Sequence, residues 1–187
     1  MEAQAKTSGH KSETRGLTLF TRSSKVTHFV DALPGDEVET MPIMMAESCR
    51  YDETGKKIVI CNLEKVLVYE LEEDRLLTTI EETGIVALDF SPGEGRYVVG
   101  LKKIPLKDKA SDIPNIYVWD ALTGDKVFDF VDRKINSSNW PALSWTRNED
   151  GFFRKINDHL FYFSITEPQE KPIAVKSDRL VNFALSR

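Results

Sequence analysis

Four lysines, Lys102, Lys103, Lys107 and Lys109, fall inside the segment KKIPLKDKASDIP (102–114). Between 102 and 112 the only acids are Asp108 and Asp112, so the net charge there is +2. Ammonium groups on flexible stems in a protruding loop suit phosphate contacts, which are electrostatic and carry no sequence information. Arg133 and Lys134 follow a predicted strand and extend the same patch. These six side chains are the candidate contacts to a nucleic-acid backbone. The competing reading is a solvated loop on an acidic protein, and it weighs against each of them.

No other constellation points to chemistry. His10, His28 and His159 fall in a polar tail, a predicted strand and a turn. None has a metal-binding spacing, and no Ser/His/Asp or Cys/His arrangement is present. The acids of ELEEDR (70–75) and EET (81–83) sit in predicted turns and read as solubilising charges. Gly93 and Gly95 lie between two predicted antiparallel strands, not between a strand and a helix, so they make no phosphate loop. The expectation is a protein that is not an enzyme and holds no cofactor or metal. Trp140 and Trp145 have faces on which bases stack, but both sit beside a predicted strand, and core packing is the favoured reading. Cys49 and Cys61 form no Cys-x-x-Cys pair and read as free thiols of a reducing compartment, with a bridge open only if they face each other across a hairpin.

The elements that position the lysines follow from the whole chain. It has 187 residues, 41% apolar and 29% charged, enough for a real core and too polar for a membrane span. No apolar run approaches the roughly 18 residues of a transmembrane helix. The net charge is −5, so the overall field does not steer nucleic acid to this chain, and such contact must come from a local patch. Residues 1–15 lack an apolar run and read as a flexible polar tail, not a secretory signal. The cytoplasm is the expected location.

Strands recur in a fixed order. After ALDF (87–90) comes a Ser-Pro-Gly turn, a strand from Arg96, the lysine segment, a strand at 116–119, a Thr-Gly turn and a strand at 126–131. Pro92 presets φ, and Gly93 and Gly95 allow positive φ. The same order appears at 47–80, with strands at 57–61, 65–70 and 75–80, and at 141–176, with turns at 148–151 and 157–159 and a last strand at 173–175. LVNFALSR (180–187) starts a further copy. Matching Arg50, Phe90, Trp145 and Leu185 gives spacings of 40, 55 and 40, the long one containing the insert. A period near 40 with four short strands per unit is the mark of propeller blades. No window has helical periodicity. The expected fold is all-β: WD-type β-propeller blades at about 47–80, 87–131 and 141–176, a further blade from about 180, and 16–187 as the N-terminal part of a longer propeller. Phe90, Val118, Trp119, Trp145 and Phe163 are the predicted core.

The motifs also carry a resemblance. Phe90-Ser91-Pro92, the insert closing in Ile113-Pro114-Asn115, Asp120 with Thr123-Gly124, Asn139-Trp140-Pro141 with Trp145, Phe161-Tyr162-Phe163 and Asn182-Phe183-Ala184-Leu185-Ser186 stand in one order. Over roughly 49–187 this resembles the N-terminal propeller of the eukaryotic translation initiation factor 2A family. The family's chain is much longer and usually continues Leu-Ser-Pro where this one stops. The resemblance implies a docking platform on the small ribosomal subunit, linked to delivery of initiator methionyl-tRNA. Its implied partners are that subunit, initiator tRNA and mRNA through parts beyond residue 187, and other initiation factors, with no membrane. The alternative is a general WD-repeat protein-interaction scaffold without a direct RNA role, the related b subunit of initiation factor 3 included.

Overall fold

The computed structural model describes residues 17–20, 26–29, 39–41, 46–73, 75–105, 112–140, 143–157, 159–167 and 172–176. The predicted tail (1–15), Lys107, Lys109 and the segment from 180 lie outside these residues. The chain divides into two compact units, Met1–Met44 and Met45–Arg187. In the first, β1 (Leu17–Phe20), β2 (Val26–Phe29) and β3 (Glu39–Met41) form an antiparallel sheet in chain order.

The second unit holds three four-stranded antiparallel meanders. The first sheet is β4 (Ser48–Tyr51), β5 (Lys57–Cys61), β6 (Val66–Glu70) and β7 (Arg75–Ile80). The second is β8 (Ile85–Phe90), β9 (Tyr97–Lys102), β10 (Ile116–Asp120) and β11 (Lys126–Phe130). The third is β12 (Ser144–Trp145), β13 (Gly151–Ile156), β14 (His159–Ser164) and β15 (Ile173–Lys176). The fold is therefore all-β, built of propeller blades. A 3-10 turn, Ser137–Asn139, interrupts the connection from β11 to β12.

The middle sheet is buried on both faces, which is why its central strands are nearly continuous apolar runs. Val98 of β9 faces the first sheet in a cluster with Val59, Val68, Leu88 and Trp119. Tyr97, Val99 and Leu101 face the third, in a cluster with Ile116, Val118, Phe152 and Phe163. Gly100 is required by Trp119: a Cβ there would lie 2.5 Å from the indole ring. Phe90, Val118, Trp119 and Phe163 are buried as predicted. Trp145 is half-buried, stacked on Tyr97 at 5.9 Å and edge-on to Phe152.

One bond pair enters each of the three four-stranded sheets. The N–H of Asp52 donates to the Lys57 carbonyl, that of Ser91 to Tyr97 and that of Thr146 to Gly151. In return, the side-chain oxygens of Asp52, Ser91 and Thr146 accept the N–H of Lys57 (3.0 Å), Tyr97 (2.9 Å) and Gly151 (3.3 Å). A second shared bond closes the third strand of each sheet: Leu71 to Lys56, Ala121 to Arg96 and Ile165 to Asp150. This register makes Tyr51, not Arg50, the counterpart of Phe90 and Trp145. The sequence match was one residue out, and in a strand one residue is the difference between faces: Arg50 is exposed. Leu185, the fourth matched position, lies outside the described residues.

The cysteines are settled by the same geometry. Cys49 stands opposite Ile60 and Cys61 opposite Ser48. Cross-strand partners share a face and neighbours alternate, so the two thiols project to opposite faces of the sheet. Both are free, and burial pushes them up to about 11 for Cys49 and about 12 for Cys61. They are packing groups, not reactive thiolates.

Candidate functional site

The lysine segment sits where the middle sheet departs from the first. In the first sheet the turn between second and third strands is short: Asn62 N–H donates to the Lys65 carbonyl, and the Asn62 side chain accepts from Glu64 and Lys65. In the middle sheet Lys102 N–H makes the equivalent bond to Asn115, and residues 103–114 occupy the place of Leu63 and Glu64. The β7–β8 connection binds both: Gly84 donates to the Leu63 carbonyl and accepts from Lys103 N–H. Gly84 has φ +75°, a conformation a side chain would strain.

The base of the insert is fixed to the β11–β12 connection. Asn115 donates through its amide to the Asp132 carbonyl (2.8 Å) and accepts from Asp132 N–H (2.7 Å). Asp132 in turn meets Arg154 of β13 at 2.6 Å, with only 9% and 7% of the two side chains exposed. Burial pulls the Arg154 guanidinium down, and Asp132 opposes that. The connection continues through a capping box, in which Asn136 accepts from Ser138 N–H and Asn139 accepts from Asn136 N–H. Trp140 closes it, donating its indole N–H to the Leu88 carbonyl at 3.1 Å. Trp140 and Trp145 both pack against the core shared by the second and third sheets, as the packing reading expected.

The six predicted cations divide. Lys102 is the correction: it is the last residue of β9, not part of a flexible loop. Its ammonium is 2.5 Å from Glu82 and lies over the Tyr117 ring at 5.7 Å. The acid was hidden from the sequence because Glu82 belongs to a different connection. Lys103 is exposed. Arg133 donates to the Ile113 carbonyl at 2.7 Å, which holds its guanidinium over the insert. Lys134 is exposed and reaches Asn157 of the third sheet at 2.5 Å. Lys107 and Lys109 lie outside the described residues.

Lys102, Lys103 and Arg133 line one cleft of about 560 Å³ between the end of β9 and the β11–β12 connection. Val86, Leu101, Ile104 and Ile135 supply its apolar wall. Sequence reasoning missed this cleft and the Asn115–Asp132–Arg154 brace beneath it. Asn115 stood in a quoted motif, but nothing in the sequence pairs it with Asp132 or Arg154. Among the described residues no group of three or more His, Cys, Asp or Glu could hold a metal, and no helix is long and apolar enough to cross a membrane.

No family model matches the chain. It is 26% identical over 142 residues to eukaryotic translation initiation factor 2A of Schizosaccharomyces pombe, covering 75% of this chain and 24% of that protein. It is 27% identical over 117 residues to the B subunit of eukaryotic translation initiation factor 3 of Dictyostelium discoideum, covering 60% of this chain and 17% of that protein. The chain thus spans about a quarter or less of these relatives' length. A crystal structure of a eukaryotic initiation factor superposes with a TM-score of 0.68 at 22% identity, over 88% of this chain and 40% of the other. The C-terminal WD40 domain of Sif2 superposes at 0.57 with 14% identity, over 87% and 45%. The expected likeness to initiation factor 2A is present, and the structural neighbours carry the propeller fold.

Proposed function

We propose that this chain supplies blades of a translation initiation factor, acting in the cytoplasm as a docking platform on the small ribosomal subunit in the step that delivers initiator methionyl-tRNA. The observation that carries the reading is a coincidence: a chain similar to two initiation factors departs from its own repeat at a cationic insert. Lys103, Lys107, Lys109, Arg133 and Lys134 meet ribosomal RNA phosphates in this reading, and Lys102 contributes less because Glu82 already neutralises it. In this reading the tRNA and mRNA engage parts of the factor beyond residue 187, and other initiation factors are further partners.

The test replaces Lys103, Lys107, Lys109 and Lys134 with Glu and follows co-sedimentation with purified small subunits at several salt concentrations. Binding should weaken, and the salt slope should fall by about one for each phosphate contact removed. A folded variant that sediments like the parent would end the phosphate reading of the insert. A protein-interaction scaffold without RNA contact is the second reading, favoured by the Lys102–Glu82 pair and the net charge of −5.

A further inference from the structure

We infer that Arg154 of β13 is a positioning residue for the cationic contacts. It is buried and meets no ligand itself, but by holding Asp132 it sets where Lys103, Arg133 and Lys134 stand. The inference rests on the phosphate reading of those cations and adds the residue on which their placement depends.

Asp132 is the node. One oxygen of its carboxylate accepts from Lys134 N–H at 2.8 Å, and the other meets Arg154 Nη2 at 2.6 Å. Its main chain is bonded on both sides to the Asn115 side chain, at 2.8 and 2.7 Å. Asn115 carries the fixation into the insert, because its carbonyl accepts from Lys102 N–H at 2.8 Å, one residue before Lys103. Arg133, next to Asp132 in the chain, donates to the Ile113 carbonyl at 2.7 Å. The two connections that carry the cations therefore share one anchor, and Arg154 fixes that anchor from outside both of them.

Stability alone does not account for this arrangement. Arg154 and Asp132 have side chains only 7% and 9% exposed, and a pair so buried adds little net stability over apolar side chains of similar size. Nε and Nη1 of Arg154 have no acceptor among the described residues, and each such donor carries a further cost. What the pair supplies is direction. An aliphatic pair would fill the same space, but it would leave Lys134 N–H without its acceptor and the place of Asp132 unspecified. Phosphate contacts gain from such placement, since side chains ordered before association have less freedom to lose on binding.

The experiment compares the parent chain with the double variant Asp132→Leu, Arg154→Met in co-sedimentation with purified small ribosomal subunits across a salt series. The double variant keeps the net charge and every candidate cation. It should bind about three- to tenfold more weakly with an unchanged salt slope, because the phosphate contacts keep their number and lose only their placement. Its Lys102 and Asn115 amides should exchange with deuterium about tenfold faster, while the Lys65 amide, in the equivalent turn of the first sheet, keeps the parental rate. Arg154→Lys retains a cation for Asp132 and should stay closer to the parent in both measurements. Asn115→Ala cuts the link between Asp132 and the insert without touching the buried pair, so it should weaken binding in the same way even where the double variant does not fold. Ser91→Ala, at the opposite end of β9, should bind like the parent, which separates placement from a general loss of stability. Parental affinity in a folded double variant or in Asn115→Ala would overturn the inference, and so would parental exchange at Lys102 and Asn115. A lower salt slope would overturn it too, by making Arg154 a phosphate contact in its own right. Failure of the phosphate reading looks different: the chain with Lys103, Lys107, Lys109 and Lys134 replaced by Glu then sediments like the parent, and the positioning role falls with it.

Discussion

At one rim of the three sheets, the turns into β5, β9 and β13 are closed by the same two bonds, made by Asp52, Ser91 and Thr146. At the other rim, the connections into β6, β10 and β14 differ in length and partners: a turn closed by Asn62, the insert 103–114, and a tight turn at Asn157 with φ +56°. The first rim is also knitted between sheets. Glu53 accepts from Gly93 N–H at 3.0 Å, and Lys57 donates to the Glu94 carbonyl at 2.7 Å. The Ser91 hydroxyl and the Arg96 N–H lie near enough to the Glu149 carboxyl of the next turn to favour its charged form. Neighbouring turns that hold one another directly cannot change length freely, whereas at the other rim the links run through the connections between sheets, at Gly84, Asp132 and Lys134, and the turn between β9 and β10 accepts an insertion at small entropic cost. The candidate cations and the cleft lie on the variable rim.

The sharpest way to break the contrast is to remove the brace that makes one part of the variable rim rigid. Asp132→Ala leaves Arg154 buried without its partner, and Nε and Nη1 of Arg154 have no hydrogen-bond acceptor among the described residues. Deleting one member of a buried pair costs about 3–5 kcal/mol. Urea denaturation should show that loss, and the double variant Asp132→Leu, Arg154→Met should recover much of it. An Asp132→Ala midpoint equal to the parent's would mean that the pair carries no structural weight.

The two rims were also unequally readable in the sequence. Strands β5, β7 and β10 announced themselves by β-branched and aromatic runs between Gly-containing turns, and the lysine segment stood out as an interruption of a period. The register was harder. Asp52, Ser91 and Thr146 do one job with three residue types, so the match settled on Arg50 beside them and put one strand on the wrong face. The site was harder still. Lys102 looked like its neighbours in the chain, but its environment is set by Glu82, from another connection, and by Tyr117 across the strand. Asp132 and Arg154 meet only because the second and third sheets pack face to face, a relation that local pattern does not encode.

A smaller effect tests the constant rim. Ser91→Ala removes the acceptor of the buried Tyr97 N–H and a hydroxyl that favours the charged form of Glu149. An unsatisfied buried donor costs about 1–3 kcal/mol. Ser91→Thr, which keeps the hydroxyl and mirrors Thr146, should stay closer to the parent. Equal stability of the Ala and Thr variants in urea would show that the repeated side-chain bond is incidental and that the backbone bond alone sets the turn.

The smallest effect is a slope, and it isolates the contact between the second and third sheets at the constant rim. Glu149 is buried at φ +58°, and burial holds its carboxyl above the usual range, opposed by the Ser91 hydroxyl, the Arg96 N–H, and the charges of Arg96 and Lys57. A carboxyl raised on folding binds its proton more tightly in the folded state. Its contribution to stability is full below its ordinary value of 4.5 and is lost as pH rises through the folded value. Glu149→Gln keeps the size, the backbone conformation and an acceptor, but cannot ionise. Urea midpoints measured from about pH 4 to about pH 7 should therefore decline less steeply in the variant than in the parent, with the curves converging at the acid end. Asp89 is raised by burial as well and is present in both proteins, so its share cancels in the difference. Parallel curves would mean that the Glu149 carboxylate is accommodated without penalty, and that the turns of the constant rim are joined by packing alone.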